Sequence, residues 1–528
     1  MPTRYRPTKR LSALFVSFTL LASTVARAVA QTANPQDTKP KAEASAAPDA
    51  KATPAAQVWT TKHEIKIGGS VLAYTATAGT MLMTNDKDEP IALFGFTAYV
   101  KDGGDPRTRP IMFAYNGGPG SASAWLHMGI LGPKRTLLKD LDTNTSGPFR
   151  TVDNEFTILD RADLVMIDPV GTGLSRPVGK GEGKDFWGVD QDIRSVSEFI
   201  LRYLTQYGRW AAPKFILGES YGGMRTAGVA YALLTRHNVA LNGVILVSPY
   251  LDFAGGTAGL NISDGDVNYL PTYAATAWYH GALAHRPADL QPFLREVEAF
   301  AQDVYAPVLF KGDRATVAER QAVLAGLARY TGLSTDYWDK ANLRIDEGRF
   351  LQELMRNKGV VVGRVDTRYT GGNLNALSEL MPYDPYSNAV APAIVATLHD
   401  YYRQELKVES DRPYLLSADL WQNWDNSHAQ PNLVQGGKVP FANTVVDLGH
   451  AMTLNPKMKV LVQTGYFDLA CPYRTVEYAI EHLAVAPAVR SNVTIAYYDA
   501  GHMMYVHPPS MQKFKSDLAS FVDANGGR

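Results

Sequence analysis

Gly218-Glu219-Ser220-Tyr221-Gly222-Gly223 decides how this chain is read. Before it runs Pro213-Lys214-Phe215-Ile216-Leu217, a short apolar run that reads as a buried strand. After it runs Met224 to Leu234, which reads as a helix. A strand that turns sharply into a helix lifts the serine Oγ above the sheet edge and sets it near a helix N-terminus. Glycine is needed on both sides because a side chain would collide in so tight a turn. The context makes Ser220 a candidate nucleophile rather than an ordinary loop serine.

Working outward, Pro110 to Tyr115 is a buried-type strand ending at Asn116-Gly117-Gly118-Pro119-Gly120. Ala162 to Asp168 and Gly243 to Val247 are further apolar strands, and Phe186 to Gln206 reads as an amphipathic helix. Apolar strands alternating with helices predict an α/β fold whose mostly parallel sheet is covered on both faces. Upstream, His63 to Ala78 and Glu89 to Val100 alternate as antiparallel strands do. The pattern breaks near residue 253 and resumes at Met458 to Gly465 and Val493 to Tyr498, before a last helix from Ser510 to Ala524. The intervening residues read as helices, such as Gln291 to Val304 and Ala315 to Tyr330, inserted as a cap. The expected organisation is a catalytic domain over 58–252 and 441–528 with a helical cap over 253–440.

The first residues read as a processing signal. Arg4, Arg6, Lys9 and Arg10 precede an apolar stretch from Leu11 to Val25, and Ala28-Val29-Ala30 offers a small-residue cleavage site. Residues 1–30 are expected to be a signal peptide and 31–57 a disordered linker rich in Ala, Pro, Thr and Lys. A periplasmic or secreted location follows, with no stable membrane insertion after cleavage. The formal net charge of the 528 residues is zero, which gives no basis for a nucleic-acid partner. Cys471 is the single cysteine, so no internal disulfide can form, and no Cys/His cluster has zinc spacing. No structural metal is expected.

A serine needs an imidazole to accept its proton and a carboxylate to orient that imidazole. In an α/β-hydrolase these follow in the order serine, acid, histidine, on loops after later strands. Asp468 follows the strand that ends near Thr464, and His502 follows the one that ends at Tyr498. Asp499 rivals Asp468 as the acid but is only three residues from His502. His127, His450 and His507 are alternative histidines. His450 falls inside a probable helix, His507 is followed by prolines, and His127 lies just after the glycine loop, where packing accounts for it. The amides of Gly118 and Tyr221 are the candidate donors to an oxyanion.

Asn116 to Ser121, Gly218 to Gly223, Asp468 with Cys471, and Gly501-His502-Met503 together resemble the serine carboxypeptidases of peptidase family S10. The resemblance covers about residues 90 to 250 and 440 to 520. It implies an α/β-hydrolase fold with no metal or organic cofactor, a Ser220–Asp468–His502 triad, an oxyanion hole at Gly118 and Tyr221, and removal of C-terminal residues from peptides or proteins. It also implies that Asn116, Gly117 and Glu219 bind substrate, with Asn116 and Glu219 on its terminal carboxylate, and that Cys471 and Met503 line the leaving-residue pocket. A glutamate can meet a carboxylate only when one of the two is protonated, which would favour acidic pH. Three positions depart from the family pattern: Ser121 replaces a cysteine, Ile130 replaces a glutamate, and Gly222 replaces another small residue. The loss at Ile130 leaves an aminopeptidase, esterase or acyltransferase on the same triad as the alternative. A non-catalytic binding protein of this fold is the reading that a full triad argues against. Asn144, Asn261 and Asn492 begin Asn-x-Ser/Thr sequences.

Overall fold

The structure, a computed structural model, describes residues 55–527 apart from 144–145, 254, 256–262, 419 and 434–436. The expected signal peptide, most of the expected linker, and Asn144 and Asn261 lie outside the described residues.

Nine strands form the main path of one sheet. They are β1 (Val58–Ile67), β2 (Ser70–Thr84), β3 (Pro90–Lys101), β4 (Ile111–Tyr115), β5 (Asp163–Asp168), β6 (Lys214–Glu219), β7 (Gly243–Val247), β8 (Lys459–Gly465) and β9 (Val493–Tyr498). Their order is β1-β2-β3-β5-β4-β6-β7-β8-β9, and the short pair Arg176–Pro177 adds to β3 off this path. β1 through β3 and the β3/β5 pair are antiparallel, whereas every pairing from β5/β4 to β8/β9 is parallel. The stretch His63 to Ala78 is not one strand: it folds back at Gly68-Gly69, where both residues take the positive φ that glycine tolerates.

The strands were legible because the parallel ones are buried on both faces. Along β4, β6 and β7 alternate residues go to opposite sides. Phe113, Ile216, Val244 and Leu246 join one core cluster. Met112, Phe215, Leu217, Ile245 and Val247 join the other. The first face is covered by α1 (Val189–Gln206), α2 (Tyr221–His237) and α8 (Val445–Leu454). The second is covered by α7 (Pro385–Gln404) and α10 (Pro508–Asn525).

The insertion between β7 and β8 contributes α3 (Ser263–Tyr279), α4 (Leu290–Phe300), α5 (Val317–Thr331) and α6 (Glu347–Glu353), followed by α7. It has a core of its own around Tyr273, Trp338 and Phe350, and that core also takes in Phe467 and Leu469 from the loop after β8. The helical insertion therefore packs directly on the loop that carries Asp468. Among the described residues no helix is long and apolar enough to cross a membrane.

Candidate active site

Parallel register brings the carboxyl ends of β4, β6, β7, β8 and β9 to one rim: Tyr115 pairs Gly218, Glu219 pairs Val247, Val247 pairs Gln463, and Gly465 pairs Tyr498. Ligand sites in such sheets form beyond these ends. Ser220 follows β6 with φ 62° and ψ −129°, a positive φ that side-chain-bearing residues rarely adopt. The strain is of order ~1–3 kcal/mol. Its N–H donates to Val247 O (3.0 Å), and its own carbonyl accepts from Tyr250 N (2.9 Å), so the end of β7 holds the turn. At Gly218 a Cβ would fall 2.1 Å from Gly222 O, which is why the turn admits no side chain there.

Asp468 and His502 meet. His502 Nδ1 lies 2.8 Å from Asp468 Oδ2, and Asp468 Oδ1 accepts from Ala470 N and Cys471 N, each at 2.8 Å. The carboxylate is fully buried and bound on both oxygens, which fixes the ring's orientation. Burial opposes a charge on His502, but the adjacent Asp468 carboxylate outweighs it and holds the imidazole pKa well above its ordinary value. Cys471 lies beside the pair, its Sγ within 4.8 Å of their ligand atoms, and burial pushes its thiol pKa up. Among the described residues no hydrogen bond joins Ser220 Oγ to His502. The expected three-member constellation is thus present as a tight acid–base pair and a separate serine on the same rim. Catalytic hydrogen bonds are often long before substrate arrives.

The rival groups are elsewhere. Asp499 is exposed. His127 is buried against Tyr99 OH (2.5 Å), and burial lowers its pKa to about 3, so it is neutral. His450 lies in α8 edge-on to Tyr231, and His507 bonds Ser510.

The glycine loop passes close under the serine turn. A Cβ on Gly117 would fall 2.5 Å from Tyr221 N. Among the described residues neither Gly118 N–H nor Tyr221 N–H donates to a protein acceptor. Both residues line the same cavity of about 360 Å³ as Ser220. Two orphan amides beside a hydroxyl form the arrangement an oxyanion requires. Arg225, buried in α2, clamps this loop: its guanidinium donates to Asn116 O (2.7 Å) and pairs with buried Asp192 (2.7 Å). An arginine in an otherwise small and apolar helix was the signal that could have revealed it.

Residues 78–301 match the family model described as serine carboxypeptidase. The segment holds Asn116, Gly118, Ser220 and Tyr221. That matched segment is similar to the serine carboxypeptidases. Two curated relatives from Arabidopsis thaliana bear the same name: serine carboxypeptidase-like 10 is 25% identical over 174 residues, covering 31% of this chain and 37% of the relative. Serine carboxypeptidase-like 8 is 23% identical over 180 residues, covering 32% and 39%. The chain thus spans under two-fifths of the length of these curated relatives. A solved prohormone-processing carboxypeptidase from Saccharomyces cerevisiae aligns with a TM-score of 0.49 at 16% identity, over 86% of this chain and 93% of that one.

Within the matched segment, Asn116 and Glu219 are together but closed in. Asn116 Nδ2 donates to Glu219 Oε1 (2.8 Å), Tyr505 OH donates to Glu219 Oε2 (2.8 Å), and Asn116 Oδ1 accepts from Leu126 N (3.0 Å). Burial pushes the Glu219 pKa up to about 7, against the bonds from Tyr505 and Asn116 and the charge on His502. Ile130 lies in the apolar core, and Tyr505 fills space left open by the missing side chain of Gly129. Tyr505 was missed by the sequence reading, because nothing in Met503-Met504-Tyr505 marks it as polar in role. Cys471 does line the Ser220 cavity, and with Tyr250 it also bounds a neighbouring cavity of about 290 Å³ that reaches His450. Met503 packs against the core cluster that holds α10 and is not among the residues bounding either cavity.

One segment of the insertion was invisible to motif reading. Leu469 N donates to Arg364 O (3.1 Å), His502 N to Val365 O (2.7 Å), Gly501 N to Asp366 Oδ2 (3.2 Å), and Thr367 N to Phe467 O (2.9 Å). Asp366 is itself held by buried Arg368 (2.6 Å). Ser248, at the end of β7, adds a bond from its Oγ to His502 O (2.8 Å). Regarding metals, among the described residues only Asp468, Cys471 and His502 bring ligand atoms together, all within 4.8 Å. Sequence spacing did not reveal that convergence, and an ion held there would compete with the imidazole's role as a base. Asn492, the remaining Asn-x-Thr site, is buried and bonded to Pro456 O, so its amide is engaged inside the fold.

Proposed function

We propose that this chain is a secreted or periplasmic serine-type carboxypeptidase acting through an acyl-enzyme on Ser220. The carrying observation is the strained Ser220 turn with the unused Gly118 and Tyr221 amides beside it in one cavity. In this reading Ser220 Oγ attacks the carbonyl carbon of the C-terminal peptide bond, and its proton passes to His502 Nε2. The carbonyl oxygen takes up the negative charge against the two amides. Collapse breaks the C–N bond as His502 returns the proton to the departing amine. Water, deprotonated by His502, then attacks the ester and releases Ser220. Asp468 stabilises the imidazolium through Nδ1 and sets the tautomer. Because Nδ1 is occupied by Asp468, Nε2 is the nitrogen left to take the Ser220 proton. Peptide and protein C-termini are the proposed partners, and the basic, apolar N-terminal residues support export.

Ser220→Ala should abolish peptide hydrolysis with an unchanged far-ultraviolet spectrum. A folded variant that still trims peptides would refute the assignment. The enclosed Asn116–Glu219–Tyr505 cluster and Ile130 favour a second reading, in which the same acyl chemistry serves an ester or an acyl acceptor. Comparing free-acid with C-terminally amidated peptides separates the two: a carboxypeptidase loses activity on the amides, whereas an esterase or aminopeptidase does not.

A further inference from the structure

Among the described residues, the cavity that holds Ser220 and Gly118 is lined by aromatic rings, including Tyr269 and Phe441, by the carboxylate of Glu347 and by one cation, Arg364. Arg364 comes from the insertion, in the segment between α6 and α7. Its backbone is fixed on both sides of the acid–base pair, since its carbonyl accepts from Leu469 N and the carbonyl of Val365 accepts from His502 N. Its amide is held by Asp384 (3.2 Å). The base of this side chain is therefore as rigidly placed as the histidine itself.

The guanidinium is not buried in a tight ion pair. Its side chain is 41% exposed, and its acidic partner Glu347, which lines the same cavity, lies 3.5 Å from Nε. A firm charge-assisted bond is nearer about 2.7–2.9 Å. For contrast, Arg225 and Arg368 meet their carboxylates at 2.7 and 2.6 Å with almost no exposure. Those two arginines hold the fold together, whereas Arg364 faces the cavity. An arginine keeps its charge at any working pH and presents a planar fork that matches a carboxylate. The Asn116–Glu219 cluster bounds neither of the cavities around Ser220 and Cys471, and its bonds are satisfied internally.

We propose that Arg364 is a specificity-determining residue that receives a carboxylate of the molecule acylating Ser220. This rests on the acyl-transfer reading above and extends it to the substrate class: an apolar or aromatic body bearing an anionic carboxylate. The carboxylate belongs either to the free C-terminus on the leaving side or to an acidic group on the acyl side.

Calorimetric titration of the full chain carrying Ser220→Ala, which removes turnover, tests this. The probes are N-benzoylglycine, its amide, N-succinyl-phenylalanine amide and N-butyryl-phenylalanine amide. The expected result is tighter binding of at least one carboxylate probe than of its neutral counterpart by about ten- to a hundredfold, the range of a charge-assisted bond. That preference should vanish with Arg364→Gln and return in part with Arg364→Lys, with melting temperatures unchanged. N-benzoylglycine carrying the preference assigns the leaving side, and the succinyl probe assigns the acyl side. No carboxylate preference in the parent, or one that survives Arg364→Gln, overturns the proposal. Because binding is read without hydrolysis, a wild-type chain inactive on peptides would remove the proposed function and leave this result independent.

Discussion

Glu219→Gln is the most direct probe of the buried cluster beside the nucleophile. Glu219 is 1% exposed, and burial moves its pKa from the ordinary 4.5 to about 7. At about 1.36 kcal/mol per pH unit, the folded chain holds this proton roughly 3 kcal/mol more tightly than the unfolded chain does. The sign follows from a folded pKa that is raised. The stabilising contribution is full below about 4.5 and is lost as pH rises through about 7, because the unfolded carboxylate has already ionised while the folded one resists. Glutamine has the shape of the neutral acid and carries no proton to lose. Urea unfolding of wild type and variant at pH 4 and pH 8, followed by tryptophan fluorescence, should therefore show their stability difference moving by about 3 kcal/mol in favour of the variant at the higher pH. Other titrating groups are common to both proteins and cancel. A stability difference that stays constant between the two pH values would mean that the donors Asn116 and Tyr505 keep Glu219 ionised throughout, and the reasoning from burial would be refuted.

Asp468→Asn should lower kcat by about 10³–10⁴-fold with little change in KM, through the wrong imidazole tautomer; steady-state kinetics showing a loss under tenfold would remove Asp468 from its role. Gly118→Ala introduces a Cβ 2.7 Å from Gly120 N at a residue with φ 103°, and it should cost about 10²-fold or more in kcat by displacing an oxyanion donor. A substrate assay at saturating concentration decides this, and unchanged turnover contradicts the donor assignment. Asp366→Asn removes the 2.6 Å carboxylate partner of buried Arg368, which keeps Asp140 at 3.1 Å, and weakens the tie to Gly501. Denaturant midpoints should report a loss of about 2 kcal/mol, the range of a hydrogen bond to a charged group, accompanied by a fall in kcat; full stability would show the pair to be dispensable.

The sheet and the nucleophile turn were readable from sequence because each depends on local patterns. Phe215, Ile216 and Leu217 alternate between two faces that are both buried, so the run is apolar throughout, and the glycines around Ser220 answer steric demands within a few residues. Asp468 and His502 were readable for a similar reason, since each lies just past the end of an apolar strand. The first hairpin was blurred because Gly68-Gly69 interrupts an alternation that continues on either side. Tyr505, Ser248 and the segment around Arg364 were not legible, and Arg225 stood out only as a charge in an apolar helix, with no hint of its partner. Their roles depend on contacts across 109 residues for Arg225 with Asn116 and 286 for Tyr505 with Glu219, and no local pattern records such distances. The separation of Ser220 from His502 likewise depends on where side chains settle.

The stretch from Arg364 to Thr367 has a practical consequence for anyone wishing to re-engineer this chain. Because four of its consecutive residues are bolted to the acid and histidine loops, exchanging the helical insertion wholesale would also unseat the proton-transfer apparatus. A chimera that aims for new selectivity should leave that tetrapeptide and its Arg368 anchor in place and vary the helices on either side.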